Sequence, residues 1–220
     1  MLLTASCLAG LPASGIFVGQ VDDFEDGTTQ NWTIGNPTGP FAPSNIPSGG
    51  PGGTGDGYLQ LNSSGAGGPG GKLTTFNLAQ WTGDYIAAGV TGVQVWFNNV
   101  GANPMTMRLS FASGFGAGSS FTTATTIALS PGSGWTAGFY PISESTLIRL
   151  DGSDSFSQAF LDITEVRLFS AVAPAFSGDL IAATVGVDDL AVIPEPAASW
   201  LVLGGVLILA GLGARSRAPR

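Results

Sequence analysis

Almost every residue able to do chemistry in this chain is a carboxylate. The 220 residues include 15 Asp and Glu, seven Lys and Arg, no His, and one Cys at position 7. Without His, a serine or cysteine nucleophile has no imidazole base, and Cys/His zinc clusters and internal disulfides are excluded too. Acid–base work would fall to paired acids such as Asp151 with Asp154 or Asp162 with Glu165. Two carboxyls flanking a glycosidic bond are the machinery of glycoside hydrolysis. Close acid pairs also arise in any acidic loop, however, and a polysaccharide lyase would want basic groups that this chain barely has. An enzyme is therefore the least favoured reading.

The charge is unevenly spread. Residues 1–196 hold all 15 acids against Lys72, Arg108, Arg149 and Arg167, a net of −11, and Arg215, Arg217 and Arg220 close the chain. An acidic body argues against nucleic acid as a partner, because phosphate binding needs clustered Lys and Arg. It attracts hard cations instead, and calcium is the natural one.

The aromatic residues offer a second kind of chemistry. Along Val93–Asn98, Val93, Val95 and Phe97 alternate with Gln94, Trp96 and Asn98. Along Met105–Phe111, Met105, Met107, Leu109 and Phe111 alternate with Thr106, Arg108 and Ser110. Such alternation places the apolar set inward and the other set outward on a sheet. Gln94, Trp96, Asn98 and Arg108 are then expected on one exposed face, the alternative being that Trp96 is buried against the second sheet or under a loop. An indole with amide and guanidinium neighbours suits a sugar, whose C–H face wants an apolar ring and whose hydroxyls want polar partners. Trp32, Trp81 and Trp135 stand at strand beginnings and are expected to anchor core or loops.

These residues need elements to position them. Alternating apolar patterns predict nine strands, at Tyr58–Asn62, Leu73–Leu78, Val93–Asn98, Met105–Phe111, Thr123–Leu129, Trp135–Ile142, Leu147–Leu150, Leu161–Phe169 and Thr184–Val192. With no convincing amphipathic helix, the expected fold is all-β, a single antiparallel β-sandwich over residues 16–192. The Gly/Pro-rich stretches 35–57 and 63–71 read as long surface loops. Near Asp188-Asp189 the apolar phase switches from Val185 and Val187 to Leu190 and Val192, which predicts a bulge there.

The ends have their own logic. Residues 1–15 form a short apolar run followed by small residues, like a signal peptide without its basic start. Lipidation at Cys7 is the alternative. At the other end, Ile193-Pro194-Glu195-Pro196 is expected to break regular structure. Ala197–Ala214 follows as an 18-residue run without a charge, then the three arginines. As a helix that run spans about 27 Å, close to the bilayer core, and Arg215, Arg217 and Arg220 would stop transfer and stay cytoplasmic.

This tripartite ending, residues 193–220, resembles the PEP-CTERM sorting signal. The resemblance implies that Pro194, Glu195 and Pro196 are recognised by an exosortase-type membrane transpeptidase. It also implies that the body is exported, held at the inner membrane by a C-terminal transmembrane helix, and then released to the cell surface or extracellular matrix. There the family is linked with exopolysaccharide and biofilm. An ordinary single-pass anchor is the alternative.

The body resembles the jelly-roll domains of such surface proteins and of carbohydrate-binding modules. The carrying segments are Asp22-Asp23-Phe24-Glu25-Asp26-Gly27, Trp81-Thr82-Gly83-Asp84-Tyr85, Gly132-Ser133-Gly134-Trp135 and Gly186-Val187-Asp188-Asp189-Leu190. This resemblance implies a structural calcium ion held by Glu25 and Asp188, on first and last strands lying side by side. It favours a non-enzymatic glycan-associating surface protein over an adhesive protein that binds other proteins, or a polysaccharide hydrolase.

Overall fold

The computed structural model describes residues 15–114 and 118–194. The expected signal segment (all but Gly15), Glu195, Pro196, the apolar run and the three terminal arginines lie outside the described residues. Among the described residues no helix is long and apolar enough to cross a membrane.

The chain forms two antiparallel sheets packed face to face. The front sheet runs in the order β2 (Ser44–Ile46), β3 (Tyr58–Ser64), β12 (Ala182–Pro194), β5 (Val90–Asn99), β9 (Trp135–Pro141), with β1 (Val21–Asp22) also paired to β12. The back sheet runs β10 (Leu147–Asp151), β7 (Ser120–Thr123), β6 (Met105–Ser113), β11 (Ile163–Ser170), β4 (Thr74–Asn77), with β8 (Ile127–Leu129) on β6. One helical turn, α1 (Phe156–Ala159), sits before β11, capped by Ser155 and Gln158 in a reciprocal capping box.

Alternation decides what lies between the sheets. Val93, Val95 and Phe97 of β5 and Met105, Met107, Leu109 and Phe111 of β6 are all buried, as their spacing predicts. Tyr85, Phe111, Phe121, Phe156 and Phe160 form an aromatic cluster with ring centroids 4.5 to 5.8 Å apart. Trp32 and Trp81 are buried beside each other at 5.9 Å, and both indole N–H groups donate to Asp22 Oδ2, at 2.7 and 2.6 Å. Gln80 donates to the same oxygen at 3.0 Å. Burial pushes the Asp22 carboxyl up, and these three donors partly offset it.

Several expectations about the elements are corrected. β1 and β2, two and three residues long, do not appear in the apolar pattern because neither carries a run of alternating apolar residues. β2 lies inside the stretch expected to be loop throughout. The expected strand Thr123–Leu129 is two strands, since the chain breaks between Thr123 and Ile127 where Ala124 N–H donates to Thr146 O. β12 continues through Ile193 to Pro194, two residues past the expected boundary at Val192. Proline is tolerated there because it ends the strand, after a shift in register between Ile193 and Pro194.

Candidate functional site

The outer face of the front sheet gathers most of the singled-out residues. β5 pairs with β9 so that Asn98 faces Trp135, Trp96 faces Ala137 and Gln94 faces Phe139. On its other side, β12 places Gly186 against Asn98 and Asp188 against Trp96. Directly opposed residues share a face, so Gln94, Trp96, Asn98, Trp135, Phe139 and Asp188 all lie on one surface. β3 extends it with Gln60 opposite Gly186 and, one pair further along, Tyr58. Trp96 and Asn98 are half-buried, and Gln94 and Phe139 are exposed.

Trp135 reaches across this face. Its indole reaches over Gly186, where a Cβ would fall 2.8 Å from the ring, and meets Tyr58 edge-on at 5.3 Å. Its Nε1 donates to Gly49 O at 2.9 Å. The absence of a side chain at Gly186 is what lets the ring come this close. Four aromatic side chains, Trp96, Trp135, Phe139 and Tyr58, thus stand on one surface with Gln60, Gln94 and Asn98, a mixture able to stack on C–H faces and to hydrogen-bond hydroxyls.

Arg108 is corrected. β5 and β6 belong to different sheets, so Arg108 points from the back sheet, away from Trp96. The segment after β11 covers it. The guanidinium is buried and donates to the carbonyls of Ala171, Thr123 and Val172 at 2.7 to 3.0 Å. Two adjacent hydrophobic-alternating strands looked like sheet neighbours, but the chain crosses between layers after Asn99. What sequence reasoning missed is Trp135, Tyr58 and Phe139. β9 carries large apolar residues on both faces, with Tyr140 buried and Phe139 46% exposed, so no alternation marks which is which.

The second expected site lies against the first. β1 does pair with β12, with Asp22 opposite Leu190, and the predicted bulge falls between Asp188 and Ala191, with Asp189 at φ 47°. The glycine-rich segment before β3 folds back over Asp188. A Cβ on Gly50 would sit 2.4 Å from Asp56 Oδ2 and 2.8 Å from Asp188 Oδ2, so both carboxylates converge on the space that glycine leaves. Asp188 Oδ1 accepts from Asp189 N–H at 2.8 Å, and Glu25 Oε1 accepts from Gly57 N–H at 2.7 Å. Burial, reinforced by the charges of Asp189, Asp56 and Glu25, pushes the Asp188 carboxyl up to about 7. Among the described residues no three acidic side chains are drawn together as a finished metal cage. The donor set is nonetheless all hard oxygen around a vacant Cβ position, which fits a cation of calcium's kind. Asp56 is the residue here that sequence reasoning did not name.

Three of the four acids considered for catalysis are engaged in local bonds. Glu165 forms an ion pair with Arg167 at 2.6 Å, Asp154 accepts from Ser119 Oγ at 2.8 Å, and Asp151 accepts from Gly152 N–H at 2.8 Å.

No protein-family model matches the chain, and no curated protein matches it. Solved structures do. The family 11 carbohydrate-binding module from Clostridium thermocellum, in complex with a β-1,3-1,4-mixed-linked tetrasaccharide, superposes with TM-score 0.51 at 18% identity, over 80% of this chain and 96% of that one. The two chains share a fold. An exo-β-agarase superposes with TM-score 0.57 at 15% identity, over 81% of this chain. A Clostridium thermocellum xylanase 10B fragment, comprising CBM22-1 and GH10 modules with xylohexaose, gives TM-score 0.51 at 14% identity over 83% of this chain. This chain spans 25% of the agarase chain and 29% of the xylanase fragment. At such identities the likeness is one of fold, a jelly-roll-like sandwich.

Proposed function

We propose that this chain is an exported, non-enzymatic glycan-binding protein whose ligand surface is the outer face of the front sheet around Trp96. The observation that carries this reading is the convergence of Trp96, Trp135 and Tyr58 on one sheet face with Gln60, Gln94 and Asn98. The fold shared with carbohydrate-binding modules supports it. The engagement of Glu165, Asp154 and Asp151 in local bonds supports a binding role over hydrolysis.

A calcium ion belongs to the same proposal. Asp188 and Asp56 would hold it, with Glu25 at the rim, and it would neutralise the repulsion that these acids otherwise build up beside Trp96. The sorting reading is the third part. The tail at 193–220 would be recognised through Pro194, Glu195 and Pro196 by an exosortase-type transpeptidase, anchored meanwhile in the membrane, and the body delivered to the cell surface or polysaccharide matrix.

A glycan array probed with the purified chain, with and without calcium, tests the function. The expected result is binding to a β-linked polysaccharide series, weakened roughly tenfold, or about 1.4 kcal/mol, by Trp96→Ala. A chain that binds no glycan under either condition, yet captures a surface protein, would replace this reading with the adhesive one.

A further inference from the structure

A cavity lies where the edge of the back sheet meets the glycine-rich loops and the Asn62 end of β3. Its volume is about 440 Å³, within the roughly 300–1,000 Å³ of small-ligand sites. Phe41 and Phe76 give it apolar walls, Asn36 and Asn62 give amides, and Lys72 and Arg167 give charge. These are two of only four basic side chains among residues 1–196, which otherwise carry 15 acids. Half of the body's cations lining one cavity is the reverse of what an acidic surface places at random.

The cations are also arranged to receive something. Arg167 Nε is tied to Glu165 Oε1 at 2.6 Å, while its guanidinium stacks over Phe176 at 4.0 Å and approaches Phe76 at 5.9 Å. Stacking and the Nε bond fix the plane of the fork. The two terminal nitrogens have no protein acceptor among the described residues. Lys72 has no acidic partner among them either, and its Nζ meets only Ser177 Oγ at 3.4 Å. Phe176 and Ser177 are consecutive, so one short segment holds both cations at the same cavity. With Glu165 subtracted, the group is left at +1. The opposite wall is fitted just as closely: Phe41 packs onto the bare backbone of Gly70, whose Cβ would fall 2.2 Å from the ring.

We infer that this cavity is a second ligand site, specific for the carboxylate of an acidic sugar. A planar guanidinium with free terminal nitrogens takes a carboxylate through two parallel hydrogen bonds, and an ammonium beside it adds a point charge. The phenyl walls suit the C–H face of a pyranose ring, and the two amides suit its hydroxyls. The cavity is assigned to a carboxylate on the strength of its own charges. That a sugar carries the carboxylate rests on the proposed glycan-binding function.

The test is calorimetric titration of the full chain with a galacturonic acid trisaccharide, the same trisaccharide with its carboxyls reduced to hydroxymethyl groups, and sodium acetate. The expected result is binding of the acidic trisaccharide alone, weakened at least tenfold by Lys72→Met or Arg167→Met and several-fold by raising salt from 50 to 500 mM. Both substitutions keep an apolar stem, and unchanged melting temperatures will show that each variant folds. Arg167→Lys, which keeps the charge and loses the fork, should fall between wild type and Arg167→Met. Trp96→Ala should leave this affinity within twofold, which separates the cavity from the sheet face. Equal binding of the reduced trisaccharide, or acidic-sugar binding lost in Trp96→Ala and kept in both Met variants, would overturn the inference. Acetate binding as tightly as the trisaccharide would overturn the sugar assignment.

Discussion

Asp188 is where burial, charge and ligand face meet at a single residue. Its carboxyl is held up to about 7 by burial first and by neighbouring acids after, against an ordinary value of 3.8. The folded chain therefore keeps a proton that the unfolded chain releases near pH 4. Between those values the folded state binds more protons, so its stability falls as pH rises from about 4 to 7. Asp22 and Asp189, also raised by burial, add slopes of the same sign. In chelator, the melting temperature should decline across that range, and Asp188→Asn should make the decline shallower. At pH 7.5, calcium should raise the melting temperature by several degrees. At a hundredfold excess over Kd the linkage is worth ~2.7 kcal/mol. A melt that does not distinguish calcium from chelator would remove the ion from the proposal. The break in the ladder at this residue was legible beforehand, since the switch of apolar phase at Asp188-Asp189 predicts the bulge. Asp56 was not legible, because its approach depends on a glycine loop folding onto the sheet, and no periodicity encodes that.

At the scale of elements, α1 shows how a single helical turn can matter more than its length suggests. Four residues cannot hold a helix by propensity, and the turn persists through its Ser155 cap and the ring that follows it. Phe160 is fully buried and touches Tyr85, Phe111, Phe121 and Phe156 at ring distances of 4.5 to 5.7 Å. Phe160→Ala should cost about 3–5 kcal/mol, read as a lower denaturation midpoint with unchanged slope in a urea titration. The inner faces of β5 and β6 were readable because period-2 patterning is the physics of a half-buried strand. Layer assignment was not readable. The pattern says that Arg108 and Trp96 each turn their backs on the core, but which sheet each strand joins is set by the crossover between them.

At the scale of the whole molecule, the charge distribution separates functions that the fold alone would leave mixed. An acidic body with two of its four cations at one cavity would suit the proposed binding of neutral glycans on one face and of carboxylates at one point. Under the sorting reading, the form recovered from the cell surface should lack Arg215, Arg217 and Arg220 and end near Pro194–Pro196 by intact mass spectrometry. An intact Arg220 on that form would replace sorting with permanent anchoring.

β12 is the long strand that carries both Asp188 and, at its end, Pro194, and it is bonded on each side, to β3 and to β5. Were the body to hang from its tail, tension would enter at Pro194 and run along the axis of this strand. A terminal edge strand has rungs on one flank only to resist such a pull. An interior strand has rungs on both flanks to share it. A polysaccharide gripped beside Trp96 would bear on the neighbouring strand of the same ladder. Under the proposed tethering and binding, the β12–β5 ladder would carry the pull between tether and ligand.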